Sequence, residues 1–329
     1  MNIGKMSENS LKRSVLRQIT YNRDEVVKGA EYGSDYSALK LSDDELYITA
    51  VSSMSLKCSN IGRYAVCMAV NNVAVAGAGA VAIMLSVLVP EDTEESEIKT
   101  LMKQVNDTCK ELDVQVIGGH TQVTDAVNRI VIDVTGIGKV NKDSIISSSG
   151  AAAGDDIVVT KWIGSEGAAI IAADNENELK ERFSTGYIEE AKKSIGYVSI
   201  ASEASIAAKM GASAMHDASF GGLFGALWEL AQSSDVGMEV DLKDIPIKQE
   251  TIEIADYYDV NPYELLSGGS LIVCMHNGHD YVRSLKAIGI NASVVGKITS
   301  GKDRVIINGE ERRFLTRPSV DEIFKVTNK

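Results

Sequence analysis

Proline is scarce in this 329-residue chain, with 4 residues, and aromatic side chains make up only 5%. An all-β sandwich with many proline-marked turns is therefore a poor fit. Basic residues are outnumbered: 33 Lys and Arg against 46 Asp and Glu give a net charge of −13. Such a balance disfavours general binding to nucleic acid or to an anionic membrane. None of the four cysteines (Cys58, Cys67, Cys109, Cys274) forms a C-x-x-C pair, which removes zinc ribbons and thioredoxin-type sites. Reduced, partly buried thiols in a cytoplasmic protein are expected instead. Met1 to Ser14 lacks an apolar core, so no signal peptide is expected.

Charge is missing altogether from Tyr64 to Pro90, a stretch long enough to span a bilayer. Asn71 and Asn72 interrupt it and Gly77 and Gly79 break it. It reads as a buried helix over Ile61–Ala76, a glycine turn and a buried strand over Val81–Val89, so no membrane span is expected. Around it the signals mix helix and strand. Leu46–Val51 reads as a strand and Glu94–Leu112 as an amphipathic helix, with Asp92 or Thr93 as its N-cap. Val114–Ile117 reads as a short strand ending at Gly118-Gly119, and Arg129–Val140 as a longer strand. Small and polar residues from Ser147 to Asp156 mark a boundary. Two domains are expected, 1–150 and 151–329, since one core rarely grows past about 250–300 residues. The second starts with a strand at Ile157–Thr160. Helices are expected at Ile188–Ile195, Ile200–Met210, Gly222–Gln232 and His279–Ile288. Further strands are expected at Ala214–His216, Leu271–Met275, Ser293–Lys297 and Arg304–Ile307.

Walker A, dinucleotide-binding G-x-G-x-x-G, G-x-S-x-G and H-E-x-x-H motifs are all absent. What recurs is glycine beside a polar residue: Gly33-Ser34-Asp35-Tyr36-Ser37-Ala38, Gly118-Gly119-His120-Thr121, and His216-Asp217-Ala218-Ser219-Phe220-Gly221-Gly222. Glycine lets backbone N–H groups approach a phosphate closely, though most glycine turns only make turns. Lys161 could reach a phosphate or be a plain surface lysine. His216 could act as donor or general acid, or only shape its turn. Cys274-Met275-His276-Asn277-Gly278-His279 has C-x-H-x-x-H spacing, open to zinc or to a buried strand end followed by a solvated turn. Trp162 and Trp228 read as core or interdomain packing.

Order and spacing together resemble the superfamily of aminoimidazole ribonucleotide (AIR) synthase, HypE, thiamine-monophosphate kinase and selenophosphate synthetase. The resemblance covers nearly the whole chain. Val70-Asn71-Asn72-Val73-Ala74-Val75-Ala76-Gly77-Ala78 is similar to V-N-D-x-A-x-x-G-A, and Ile117-Gly118-Gly119-His120-Thr121 to G-G-D-T. Gly154-Asp155-Asp156-Ile157-Val158-Val159-Thr160 resembles G-D-x-I-x-x-T, and His216-Asp217 with Gly221-Gly222 resembles H-D-x-T-x-G-G. Asn261 to Leu271 resembles a late segment with E-x-L-x-S-G-x-L at its core. The AIR synthase-related, HypE-like proteins are the nearest branch.

This resemblance implies a two-domain α/β (α+β) fold: an N-terminal domain whose sheet forms a barrel on homodimerisation, and a C-terminal α/β domain. It also implies an ATP-binding enzyme that activates an amide-type or carrier-bound substrate by phosphorylation, with Mg²⁺ and with a maturation-pathway protein as partner. The nucleotide would be held by Asp35, Ser52, Asn72, Gly118, Gly119, His120, Thr121, Lys161, Gly221 and Gly222. His216 and Asp217 would be catalytic, and Asp35 and Asp217 would hold the metal. Three positions depart from the family pattern: Ser52, Asn72 and His120 each stand where the family has Asp. Losing three carboxylates weakens Mg²⁺ clustering, which leaves a second reading, a non-catalytic dimeric binding or scaffold protein. HypE carries a C-terminal cysteine that receives its cargo; this sequence ends Val326-Thr327-Asn328-Lys329, so that reaction on its own tail is not expected.

Overall fold

The computed structural model describes residues 4–5, 8–28, 38–39, 44–316 and 320–327. The chain divides into two units, Met1–Val73 with Ala78–Asp143, and Ala74–Gly77 with Ser144–Lys329.

The first unit contains β1 (Gly4–Lys5), α1 (Glu8–Ser14), β2 (Val26–Lys28), β3 (Ala38–Leu39), β4 (Glu45–Met54), α2 (Ile61–Ala74), β5 (Gly79–Val89), α3 (Glu95–Glu111), β6 (Gln115–Val123) and β7 (Val131–Asn141). The uncharged stretch is thus a helix followed by a strand, and no helix among the described residues is long and apolar enough to cross a membrane. Five strands form one sheet in the order β1-β6-β5-β7-β4, open among the described residues. Strand alternation gives it two faces. Ile83, Leu85, Val87 and Val89 of β5 and Ile132 and Val134 of β7 are buried, whereas Met84, Ser86, Leu88, Val131 and Asp133 are half-buried or exposed. In α3, Ile98, Leu101, Met102, Val105 and Cys109 are buried at helical spacing. The helix is capped at Glu94 rather than at Asp92 or Thr93: Glu97 reaches back and accepts from the Glu94 N–H at 2.9 Å, closing a capping box.

β6 runs on through Gly118-Gly119 to Val123, pairing with β5 on both sides of a register shift at Ile117, instead of stopping there. The glycines serve strand-to-strand approach here. A Cβ built on Gly119 would sit 2.1 Å from the Leu85 carbonyl oxygen. In β7, Gly136 and Gly138 do the same for α2, since a Cβ on Gly136 would lie 2.7 Å from the Ala69 carbonyl oxygen and one on Gly138 2.3 Å from Val73 Cγ1. Gly136→Ala should therefore push the helix backbone and lower stability by about 1–3 kcal/mol in urea unfolding. Wild-type stability in that variant would mean that α2 does not rest on β7.

The second unit contains β8 (Asp156–Thr160), α4 (Ser165–Asp174), α5 (Glu176–Leu179), α6 (Thr185–Lys192), α7 (Ala201–Lys209), β9 (Ala214–Asp217), α8 (Gly222–Ser234), β10 (Gly237–Asp241), α9 (Gln249–Tyr257), β11 (Leu271–Met275), α10 (Gly278–Ala287), β12 (Ala292–Thr299), β13 (Arg304–Asn308), β14 (Glu311–Phe314) and α11 (Phe324–Thr327). Its seven strands run β14-β13-β10-β12-β8-β11-β9. Central strands β8 and β11 are buried at every residue, so both faces are covered. On one side Ile157, Val159 and Ile272 pack with Leu223, Leu227 and Leu230 of α8. On the other, Val158 and Val273 pack with Ala204 and Ala207 of α7 and Tyr281 and Leu285 of α10. Several elements have no counterpart in the sequence reading, among them α5, β10, α9, β14 and α11. Each is short, and α9 buries only Thr251, Ile254 and Ala255, too few positions to show a helical period.

Candidate functional site

Ser52 and Asn72 come together in the first unit. Ser52 is buried on the helix side of β4, and Asn72, near the end of α2, donates its Nδ2–H to Ser52 Oγ at 2.9 Å. Two carboxylates at this separation would repel and need a cation between them. The amide and hydroxyl satisfy each other with no charge at all. Register links Ser52 to Val134, Val134 to Leu85 and Leu85 to Gly119, so Gly119 lies in the same row, three strands away. At about 4.8 Å per strand, that is roughly 14 Å, so β6 does not join the Ser52–Asn72 pair. Thr121 is buried and Gly118 half-buried. His120 projects from the opposite, exposed face, where its Nε2 meets Gln122 Oε1 at 3.3 Å. Asp35 lies outside the described residues.

Buried ionisable groups gather in the second unit. Lys161 follows β8 with a left-handed φ of 55° and is buried, not a surface lysine. Its Nζ pairs with Glu203 Oε1 at 2.6 Å and donates to the carbonyl oxygens of Tyr197, at 3.1 Å, and Ser199. All three ammonium hydrogens are engaged, so in this arrangement none is left for a phosphate.

His216 is half-buried, one residue before the end of β9. Its Nδ1 contacts the Asp217 carbonyl oxygen at 2.9 Å and its Nε2 contacts Glu229 Oε2 at 3.2 Å. Burial works against the imidazolium, but Glu229 and that carbonyl outweigh it and raise the pKa. Both nitrogens thus face acceptors, which suits a charged donor rather than a base. Asp217 beside it is 4% exposed, and neither carboxylate oxygen receives a donor. Burial pushes its pKa up to about 7, against the pull of His216 and Lys161. Glu166, in the first turn of α4, is fully buried and pushed up to about 8, first by burial and then by Asp217; the Gly268 N–H, donating at 2.7 Å, opposes this. Asp321 accepts from the N–H groups of Gly221 at 2.6 Å, Ile323 at 2.8 Å and Leu266 at 3.2 Å, yet burial lifts it to about 6.

Gly221 and Gly222 open α8 with φ of 83° and 62°, and a Cβ on Gly222 would lie 2.6 Å from the Tyr263 carbonyl oxygen. Only glycine suits such a turn. Glu166, Asp321 and Glu229 escaped the sequence reading. A glutamate in a first helical turn looks like an ordinary dipole complement, and Asp321 stands a hundred residues from the turn that it holds.

Cys274, His276 and His279 do not converge. Cys274 is fully buried in the core against α8, where burial raises its thiol pKa, while both histidines are exposed. Among the described residues no three His, Cys, Asp or Glu side chains are placed to hold a metal ion. With Asp35 outside them, Asp217 is the one expected metal ligand whose surroundings can be tested. Its two bare oxygens are hard donors of the kind Mg²⁺ prefers. Trp162 is half-buried and edge-on to Tyr197 at 5.3 Å, with Lys248 Nζ 4.7 Å from its ring centre. Trp228 carries the Arg304 guanidinium at 4.1 Å.

Residues 33–140 match the model of the AIR synthase related protein N-terminal domain, and residues 152–308 that of the C-terminal domain. A protein of Methanocaldococcus jannaschii named for hydrogenase expression/formation is 29% identical over 98% of this chain and 97% of its own. Carbamoyl dehydratase HypE of Rhizobium leguminosarum is 25% identical over 82% of this chain and 77% of its own. Among solved structures, the hydrogenase maturation protein HypE in complex with ATP superposes with a TM-score of 0.78 at 18% identity, covering 97% of each chain. A HypE–HypF complex contains a chain matched with a TM-score of 0.72 at 21% identity, over 83% of this chain and 90% of that one. At these identities the structural likeness speaks for the fold.

Proposed function

The chain belongs to the AIR synthase related family, and from that premise we propose that it binds ATP and uses it to activate an amide-type or carrier-bound substrate by phosphorylation. One observation carries the reading: Asp217 is buried beside the glycine turn of α8, and neither of its oxygens has a donor. A buried acceptor left bare costs free energy unless a bound group completes it. Asp217 would hold Mg²⁺, which neutralises the triphosphate. Gly221 and Gly222 shape the turn, and His216, whose pKa Glu229 and the Asp217 carbonyl raise against burial, stands next to Asp217 as a donor. A carboxyl near pKa 7 can also take and return a proton close to neutrality. Once phosphorylated, an amide oxygen leaves as phosphate, which is the chemistry that a carbamoyl dehydratase needs. A HypE–HypF structure among the matches supports a second maturation protein as the carrier. The exposed sheet face of the first unit supports a homodimer.

A second reading, a non-catalytic dimeric binding or scaffold protein, draws on the Ser52–Asn72 hydrogen bond, which is complete without metal. Titration calorimetry with ATP, with and without Mg²⁺, separates the two. Mg²⁺-dependent binding by the unmodified chain, lost in Asp217→Asn, is the expected result. Binding that arises only after Ser52→Asp and Asn72→Asp are made together would favour the scaffold.

A further inference from the structure

Residues 320–327, which end in α11, lie beyond residues 152–308 where the family match stops. They are nonetheless built into the candidate site. Asp321 Oδ2 accepts from the Gly221 N–H at 2.6 Å, and its Oδ1 accepts from Leu266 at 3.2 Å and from Ile323, in the same stretch, at 2.8 Å. Glu322 Oε2 accepts from the Asn261 N–H at 3.0 Å, and the Glu322 N–H donates to the Glu264 carbonyl oxygen at 3.3 Å. Phe324 stacks on Phe220, with ring centres 5.9 Å apart and planes 6° from parallel. Asp321, Glu322, Ile323 and Val326 are buried. The loop over residues 261–268 is itself tied to the start of α4: Ser267 Oγ accepts from the Gly164 N–H at 2.7 Å, and the Gly268 N–H donates to Glu166. One carboxylate thus joins the turn that opens α8 to that loop and, through it, to α4.

The joint matters because the turn has little to hold itself with. Gly221 and Gly222 have no side chains, and glycine loses more freedom on being fixed than any other residue. Gly221 is the N-cap of α8, at the end of a helix where backbone N–H groups lack partners within the helix. A carboxylate is a favoured acceptor at that end. It could serve there as a stand-in for a ligand's phosphate or as a permanent tie, and the surroundings decide between the two. Glu322 and Glu166 both repel a charge on Asp321. Burial lifts its carboxyl to about 6 even with three N–H donors. A phosphate carries more charge than a carboxylate and would fare worse in the same place. We propose that Asp321 is a positioning residue of the candidate site, and that residues 320–327 form a clasp fixing the Gly221–Gly222 turn in relation to Asp217. The proposal deepens the ATP reading above and rests on it. Asp321 touches no ligand itself and acts through the turn that shapes the nucleotide's place.

Asp321→Asn in the full chain tests it, because the change conserves shape. The one remaining oxygen can serve Leu266 and Ile323, as Oδ1 does now, but the new NH₂ then meets the Gly221 N–H, donor against donor. With the amide turned over, Gly221 is served and the other two are lost. Glu322→Gln is the control, since a single oxygen already accepts from Asn261. In titration calorimetry with ATP and Mg²⁺, Asp321→Asn should bind at least about tenfold more weakly, and Glu322→Gln nearly as tightly as wild type. Phe324→Leu removes the stacking on Phe220 and keeps the backbone hydrogen bonds. It should weaken binding by a smaller factor, and it stands in if Asp321→Asn does not fold. Hydrogen exchange separates a local tie from general loosening: in Asp321→Asn residues 219–224 should exchange faster, while β8 and β11 keep the protection of wild type. Unchanged exchange at 219–224 would overturn the clasp, and so would wild-type ATP binding by Asp321→Asn. Tighter binding by that variant would overturn it as well and make Asp321 the stand-in for a phosphate. A wild type that binds no ATP would sink the ATP reading, and the exchange result would still decide the clasp.

Discussion

Lys161→Met is expected to destabilise the second unit by about 3–5 kcal/mol, the usual cost of leaving a buried charge without its partner. Glu203 is 1% exposed, and beside Lys161 its carboxylate meets the Thr160 hydroxyl at 3.5 Å. The lost ammonium would also leave the Tyr197 and Ser199 carbonyl oxygens without donors. Methionine fills similar volume, so the loss reports charge and hydrogen bonds rather than a cavity. At this size the melting temperature should fall by roughly 10 °C. Lys161→Met with Glu203→Leu should regain much of it, since replacing both members of a buried pair by apolar groups is often neutral. A single variant as stable as wild type would mean that the ammonium is not committed to Glu203 and stands available to a ligand. That outcome would restore the phosphate role which its place after β8 suggests.

Much of this was legible in the residues, for identifiable reasons. Gly77 and Gly79 cut the uncharged stretch where helix becomes strand, and α3 shows its buried face at an unbroken helical period. The seven-residue family pattern over Gly154–Thr160 fell on β8, an interior strand of the seven-stranded sheet, between β12 and β11. Motif matching also brought Ser52 and Asn72 into one site, although nothing in either segment alone says that they touch. The misreadings have a common cause, in that a local signal was overruled by what lies alongside. Gly118-Gly119 looked like a turn, but β5 supplies pairing partners past both residues, and absent side chains there let the strands close up. The C-x-H-x-x-H spacing looked like a ligand set. The strand ends at Met275, so Cys274 points into the core while both histidines fall beyond the strand. Glu166 and Asp321 are acidic residues of ordinary local context, and only long-range burial makes them unusual.

Those two acids and Asp217 should make the folded chain lose stability as the pH rises through the neutral range. Their folded pKa values, about 8, 7 and 6 for Glu166, Asp217 and Asp321, stand above the ordinary carboxylate range because burial disfavours the charged form. Groups raised in this way hold protons in the folded state that the unfolded chain has already released. Their contribution is whole below about pH 4, and it is lost as the pH climbs through the folded values toward about 8. The total is of the order of a few kcal/mol. Below the window the slope reverses, because Glu25, Glu95 and Glu176, held near 2 by Arg23, Arg13 and Lys180 respectively, must then be protonated. Glu166 sets the upper end of the window. It faces Asp217 and Asp321 and accepts from the Gly268 N–H, so Glu166→Gln keeps the acceptor for Gly268 and removes a charge that both neighbours resist. Urea unfolding with a chelator present should show wild type clearly less stable near pH 8 than near pH 5, and Glu166→Gln should flatten that upper limb. A wild-type profile flat across this range would mean that the three carboxylates are ionised and compensated within the fold, and the bare oxygens of Asp217 would no longer argue for a bound cation.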